Sequence, residues 1–145
     1  MTEVAGRLAK VRDRIASACT TAGRDPRSVC LVAVSKTVPT SGVAEAIAAG
    51  QTIFGENRVQ EALAKMTAAG PKATWHLVGH LQKNKARQAV GAFALIHGVD
   101  DRELAVLLDR RAEAQAITQP VLVQANLSRE ATKSGADEEG LMPLL

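Results

Sequence analysis

The chain has 145 residues, of which 46% are hydrophobic and 23% charged, the balance of a single soluble domain with a real core. Aromatic residues make up only 2%, so the core must be packed with Val, Leu, Ile and Ala, and the formal net charge of +3 is spread over interleaved basic and acidic residues without the aromatic platforms of a nucleic-acid surface. No apolar run is long enough to span a bilayer, and the N-terminus "MTEVAGRLAKVRDRIASA" is amphipathic and carries acids, unlike a signal peptide, so the cytoplasm is the expected compartment, with neither membrane nor nucleic acid as partner.

Val4, Leu8, Val11, Ile15 and Ala18 recur at steps of four and three, which predicts a first helix with one buried stripe, ended by "GRDP" at 23–26. "CLVAVSK" (30–36) reads as the first strand, with Thr40 or Ser41 capping a helix that Gly50 closes. The unit then repeats. "TIFGEN" (52–57) and "RVQEALAKMTAA" (58–69) form the second strand and helix, and "TWHLVGH" (74–80) and "LQKNKARQAV" the third. "FALIHGV" (93–99) is the fourth strand, and Asp100, three residues before Glu103, stands as a capping box for a helix to about Ala116. Pro120 opens the fifth strand, "VLVQANL" (121–127), and the loop "SREATKSGADEE" leads to a last helical stretch. Cys19 and Cys30 have no metal or redox spacing and read as small buried hydrophobes.

Strands alternating with helices over short connections argue for a parallel sheet with crossover helices. Both an open doubly wound sheet and a (β/α)8 barrel fit. Five units fill the former and leave the latter about three units short, so the pattern alone favours the open sheet. Either architecture gathers ligands at the carboxyl ends of its strands. Ser35-Lys36, Glu56-Asn57, His80, Asp100 and Asn126 stand at those ends and are expected to share one rim.

Lys36 is the lysine that terminates an apolar strand; the others (10, 65, 72, 83, 85, 133) fall in helix patterns or polar loops. A desolvated amine loses its proton more readily, and the free base is what attacks a carbonyl, as Schiff-base chemistry requires. Position alone nevertheless favours a lysine whose stem packs while its ammonium reaches water. "HLVGH" spaces His76 and His80 as helical zinc ligands would be, but the stretch reads as strand. At about 3.3 Å of rise per residue the two rings lie far apart, and no metal is expected. No G-x-G-x-x-G, Walker loop or nucleophile elbow occurs.

Four stretches, "LVAVSKT", "FGENRVQEAL", "WHLVGHLQKNKAR" and "LVQANLSREATKSG", together resemble the pyridoxal phosphate homeostasis protein family (YggS/PROSC-like), whose fold is similar to the barrel domain of alanine racemase. The resemblance runs over nearly the whole chain. It implies an α/β fold of the (β/α)8 TIM-barrel type, fold type III among proteins of pyridoxal 5′-phosphate (PLP), entered through an N-terminal helix. It also implies that Lys36 carries PLP as an internal aldimine, that Asn57 lines the cofactor pocket, and that His80 and Asn84 stand beside the mouth. The implied role is PLP (vitamin B6) homeostasis, a carrier or buffer without catalytic residues that exchanges cofactor by transimination and delivers it to PLP-dependent apo-enzymes. The alternative is an amino-acid racemase of the alanine racemase type. Such enzymes commonly set a tyrosine opposite the lysine, and this sequence contains none. A cofactor-free interaction domain is a third reading. The family's later "GMS" turn and "R-I-G" strand end, which hold the phosphate and approach the pyridine nitrogen, have no counterpart here. Residues 1–145 are therefore expected to be the N-terminal part of a single PLP-binding barrel domain.

Overall fold

The computed structural model describes residues 2–128, 130 and 133–144, so the loop predicted after the fifth strand lies partly outside the described residues. Its elements are α1 (Glu3–Thr21), β1 (Ala33–Val34), α2 (Thr40–Ala48), β2 (Ile53–Glu56), α3 (Val59–Ala69), β3 (Thr74–Leu77), α4 (Ala86–Ala89), β4 (Leu95–Val99), α5 (Arg102–Glu113), β5 (Val121–Val123) and α6 (Glu138–Leu141). The strands form one parallel sheet in the order β1-β2-β3-β4-β5. A doubly wound sheet reverses its strand order at a switch point. This one never reverses, and right-handed crossovers in an unreversed order place every helix on the same face. The open sheet favoured by the pattern alone is therefore corrected: this is the arrangement of the first five units of a (β/α)8 barrel.

Side-chain burial follows that geometry. Phe54, Trp75, Leu77 and Ile96 alternate along β2, β3 and β4 onto the helix side and join Val43 and Ala46 of α2, Val59 and Ala62 of α3, and Leu104 and Leu108 of α5 in one core. Phe54 and Trp75 are register partners with ring centroids 5.3 Å apart. Apart from Phe93 the rest of the core is aliphatic, as the composition requires. Gly55, His76 and His97 occupy the alternate positions and face the barrel side. On that side a Cβ at Gly55 would lie 3.1 Å from methyls of both Val32 and Val78 and 3.3 Å from one of Val34.

Several elements depart from their predicted bounds for identifiable reasons. Only Ala33 and Val34 of the first apolar run pair with β2, so β1 is two residues long and Cys30, ahead of the paired register, is exposed rather than buried. The stripe of α1 is only half covered. Val4 and Leu8 pack against the core, Val11 is exposed and Cys19 is buried, while Arg12 Nη1 donates to the Ala49 carbonyl at 2.8 Å, a cation at the carboxyl end of α2. Pro39, not Thr40 or Ser41, precedes the first turn of α2, without a side-chain cap. The third helix shrinks to a 3-10 turn at Lys83–Lys85 and the four residues of α4.

The cap of α5 is Asp101, one residue later than predicted. Its Oδ1 accepts from the Leu104 amide at 2.8 Å, which frees Asp100 for another contact. Asp101→Ala should therefore destabilise the chain by about 1 kcal/mol in chemical denaturation, while Asp100→Ala should leave the helix signal of α5 intact.

His76 Nδ1 and His97 Nε2 lie 3.1 Å apart on the barrel side, within hydrogen-bonding distance. Burial, reinforced by the charge of His97, holds His76 below its ordinary value of 6.5. The unfolded chain then binds more protons than the folded one between that lowered value and 6.5, so stability must fall as pH drops through this window. Urea midpoints measured across this range should fall towards acid in the wild type and fall less in His76→Gln.

Candidate functional site

Because all five strands run parallel, their carboxyl ends share one rim, and the residues just beyond them are the candidates for chemistry. Lys36 follows β1, Asn57 follows β2, His80 lies past β3, Asp100 follows β4 and Asn126 lies past β5.

Ser35 and Lys36 point to opposite sides, as adjacent strand residues must. Ser35 is buried towards α3, and its amide continues the ladder by donating to the Gly55 carbonyl at 2.9 Å. Lys36 is exposed, on the side of Val34, which is itself 50% exposed. The turn that follows is tight: the Val38 amide donates to the Ser35 carbonyl at 3.0 Å and Thr37 sits at φ +64°. A positive φ at the third position is the mark of a type II turn, and for a β-branched residue it is strained. The Thr37 hydroxyl donates to the Lys36 carbonyl at 2.6 Å. The Lys36 ammonium has no hydrogen-bond or ion-pair partner among the described residues. The desolvation that a strand-end lysine suggested in the sequence is not supplied here; the described residues leave the amine in solvent.

Three of the six other lysines differ. Lys65, Lys83 and Lys133 reach carboxylates: Glu56 at 2.6 Å, Glu103 at 2.5 Å and Glu130 at 2.7 Å. The hydrogen bond from Lys83 to Glu103 and the neighbouring charge of Asp101 raise its pKa above the ordinary lysine range.

Asn57 is half-buried, and its backbone passes so close to Gly79 that a Cβ there would stand 2.5 Å from the Asn57 carbonyl oxygen. Glycine at 79 is thus a condition for bringing the ends of β2 and β3 together. Its side-chain amide has no partner among the described residues. His80 is half-exposed, with Nδ1 3.4 Å from Asp100 Oδ2, the contact made available when Asp101 took over the cap. Asp100 Oδ1 is buried without a partner. Asn57 and His80 line one groove of about 460 Å³ together with Arg58 and Lys85. His80 also borders a second groove, of about 300 Å³, with Gln124, Asn126 and Lys133. Lys36 lines neither. The structure therefore joins two of the three site residues named from the sequence and sets the third on the neighbouring strand end. Asn84, in the 3-10 turn, is exposed.

Sequence reasoning placed Ser35 and Glu56 at strand ends but missed their burial and their link to Lys65. Glu56, fully buried, accepts from Ser35 Oγ at 2.7 Å and from Lys65 Nζ at 2.6 Å, both on Oε1, and Lys65 Nζ also donates to the Ser35 carbonyl at 2.6 Å. The available signal was small: Glu56 falls in phase with Phe54 on β2, and Lys65 falls in phase with Ala62 on α3, both on core-facing stripes. The contact of His76 with His97 was likewise not foreseen, because the pairing between strands is not visible in either strand alone.

Comparison with known proteins places this geometry. The sequence model of the alanine racemase N-terminal domain matches residues 7–145. The chain is 42% identical over 139 residues to the pyridoxal phosphate homeostasis protein of Escherichia coli, covering 93% of this chain and 59% of that protein. It is 43% identical over 145 residues to the protein of that name from Pseudomonas aeruginosa, covering 99% and 63%. Among solved structures it is similar to PipY of Synechococcus elongatus with PLP bound, at 43% identity and a TM-score of 0.81 over 97% of this chain and 61% of that one. The chain thus spans about three fifths of the length of these relatives. With the unreversed parallel sheet and the strand-end lysine, the match assigns this chain to the alanine racemase N-terminal domain family.

Proposed function

We propose that this chain binds PLP covalently through Lys36 and belongs to a protein that stores and delivers that cofactor, in PLP homeostasis, rather than turning over a substrate. The carrying observation is the state of Lys36. Among the described residues it is an exposed amine at the carboxyl end of a barrel strand, without a carboxylate partner. Of the other lysines there, Lys65, Lys83 and Lys133 are ion-paired, and Lys10, Lys72 and Lys85, which are not, lie in α1 or in 3-10 turns. The names of the relatives and the PLP bound in PipY support the same reading.

The residues present suit the aldehyde and ring of the cofactor. Bound there, PLP supplies an aldehyde that condenses reversibly with a primary amine. Lys36 provides that amine, and its exposure gives incoming amines access to the same carbon, which release to an apo-enzyme requires. Val34 and Val78, closing over Gly55, make an apolar wall against which a ring face can pack. Asn57 offers an amide without a partner among the described residues, and His80, with Nδ1 turned to Asp100, leaves Nε2 for a ligand. Residues 1–145 would contribute this as part of one barrel domain. A cytoplasmic setting belongs to the proposal and accords with two unpaired cysteines.

Titration of PLP against the purified chain should produce a near-visible absorption band that Lys36→Ala lacks, with matching far-ultraviolet circular dichroism for the two proteins. Lys36→Arg, which keeps the charge but not the nucleophile, should also lack it. A band of equal intensity in Lys36→Ala would overturn the assignment.

A further inference from the structure

The buried cluster of Ser35, Glu56 and Lys65 has no part in the chemistry above, yet it abuts the peptide that carries Lys36. We propose that Lys65 is a positioning residue for Lys36. Reaching from α3, its ammonium pins the carbonyl of the Ser35–Lys36 peptide and thereby fixes the direction in which β1 presents the Lys36 side chain. The inference rests on the reading of Lys36 as the attachment point.

Three observations carry it. First, the Ser35 carbonyl receives two donors at once, Lys65 Nζ at 2.6 Å and the Val38 amide at 3.0 Å, so the peptide plane entering Lys36 is fixed from both sides of its oxygen. Second, the sheet itself does little at this point. β1 pairs with β2 at Ala33 and Val34, its last ladder bond runs from the Ser35 amide to Gly55, and the strained Thr37 follows Lys36, so beyond the Ser35 amide the sheet gives the turn no hold. Third, Lys65 and Glu56 are both buried, and Glu56 Oε2 is sealed from solvent without a donor. A buried ion pair is rarely better for stability than apolar residues of the same volume, and one with an unsatisfied oxygen is worse. What such a pair supplies that apolar side chains cannot is a direction: Lys65 divides its protons between Glu56 and one backbone carbonyl.

Packing and positioning make opposite predictions for two substitutions. Lys65→Arg keeps a donor for the Ser35 carbonyl but alters shape. Lys65→Met with Glu56→Gln nearly keeps shape, leaves no unpaired charge and removes the donor. The first readout needs no cofactor. Hydrogen exchange at the Val38 amide should be slow in the wild type and in Lys65→Arg, and at least about tenfold faster in the double variant, the loss expected for a hydrogen bond from a charged group. The second is the rate at which the near-visible band grows on mixing with PLP, which should fall about tenfold in the double variant and stay within about threefold of wild type in Lys65→Arg. Ser35→Ala, which deletes only the hydroxyl, should behave as wild type in both measurements and keeps the test decisive should the double variant not fold. Unchanged Val38 exchange and band growth in a folded double variant, or a loss in Ser35→Ala as large as that predicted for the double variant, would overturn the proposal. Slow Val38 exchange in a wild-type chain that never develops the band would instead reject Lys36 as the attachment point while leaving the pinned turn standing.

Discussion

The first strand is attached to the sheet at two residues, and where its ladder stops a buried carboxylate takes over. Glu56, in register phase with Phe54, gathers the Ser35 hydroxyl and the Lys65 ammonium on one oxygen, and so ties β1, β2 and α3 together at the level of the rim. Lys65 also donates to the Ser35 carbonyl, and in the positioning role proposed for it that bond, rather than the Ser35 hydroxyl, sets the direction of Lys36. A two-residue strand followed by a left-handed threonine would otherwise have several orientations available. The unreversed strand order then sets Asn57, His80 and Asp100 on the same rim as Lys36, because each lies past the carboxyl end of a parallel strand.

Much of this was legible in the sequence, and the legible part has a common cause. Alternation of apolar runs with helical stripes is a local signal, and it located all five strands and the helices between β1 and β5. The choice between open sheet and barrel was not local. It depends on whether strand order reverses, which no stretch such as "CLVAVSK" or "FALIHGV" encodes alone. The family resemblance supplied that information, and the structure agrees with it. Lys36 stands just past a strand end, and its exposure agrees with the reading from position alone, an ammonium that reaches water. What the run Leu31–Val34 did not show is that Ser35, its neighbour in the alternation, takes the buried side.

What the sequence concealed lies in contacts between elements. Lys65 looked like one more lysine of an amphipathic helix, yet its phase with Ala62 turns it inward to a carboxylate 9 residues earlier in the chain. Asp100 and Asp101 are equivalent as caps on paper. The structure gives the cap to Asp101 and turns Asp100 towards His80, a division that only the path of the chain between β4 and α5 decides. His76 and His97, 21 residues apart in sequence, meet diagonally across β3 and β4, whose register pairs His76 with Leu95.

The central claim is that Lys36, and no other lysine of the chain, is the amine that takes the aldehyde of PLP. Borohydride reduction of the protein mixed with PLP, followed by peptide mapping, tests it most directly, since reduction fixes the label wherever it resides. The account predicts a pyridoxyl group on the peptide containing Lys36, with Lys65 and the ion-paired Lys83 and Lys133 unlabelled. A label distributed over Lys83, Lys85 and Lys133, or confined to one of them, with Lys36 unmodified, would contradict it.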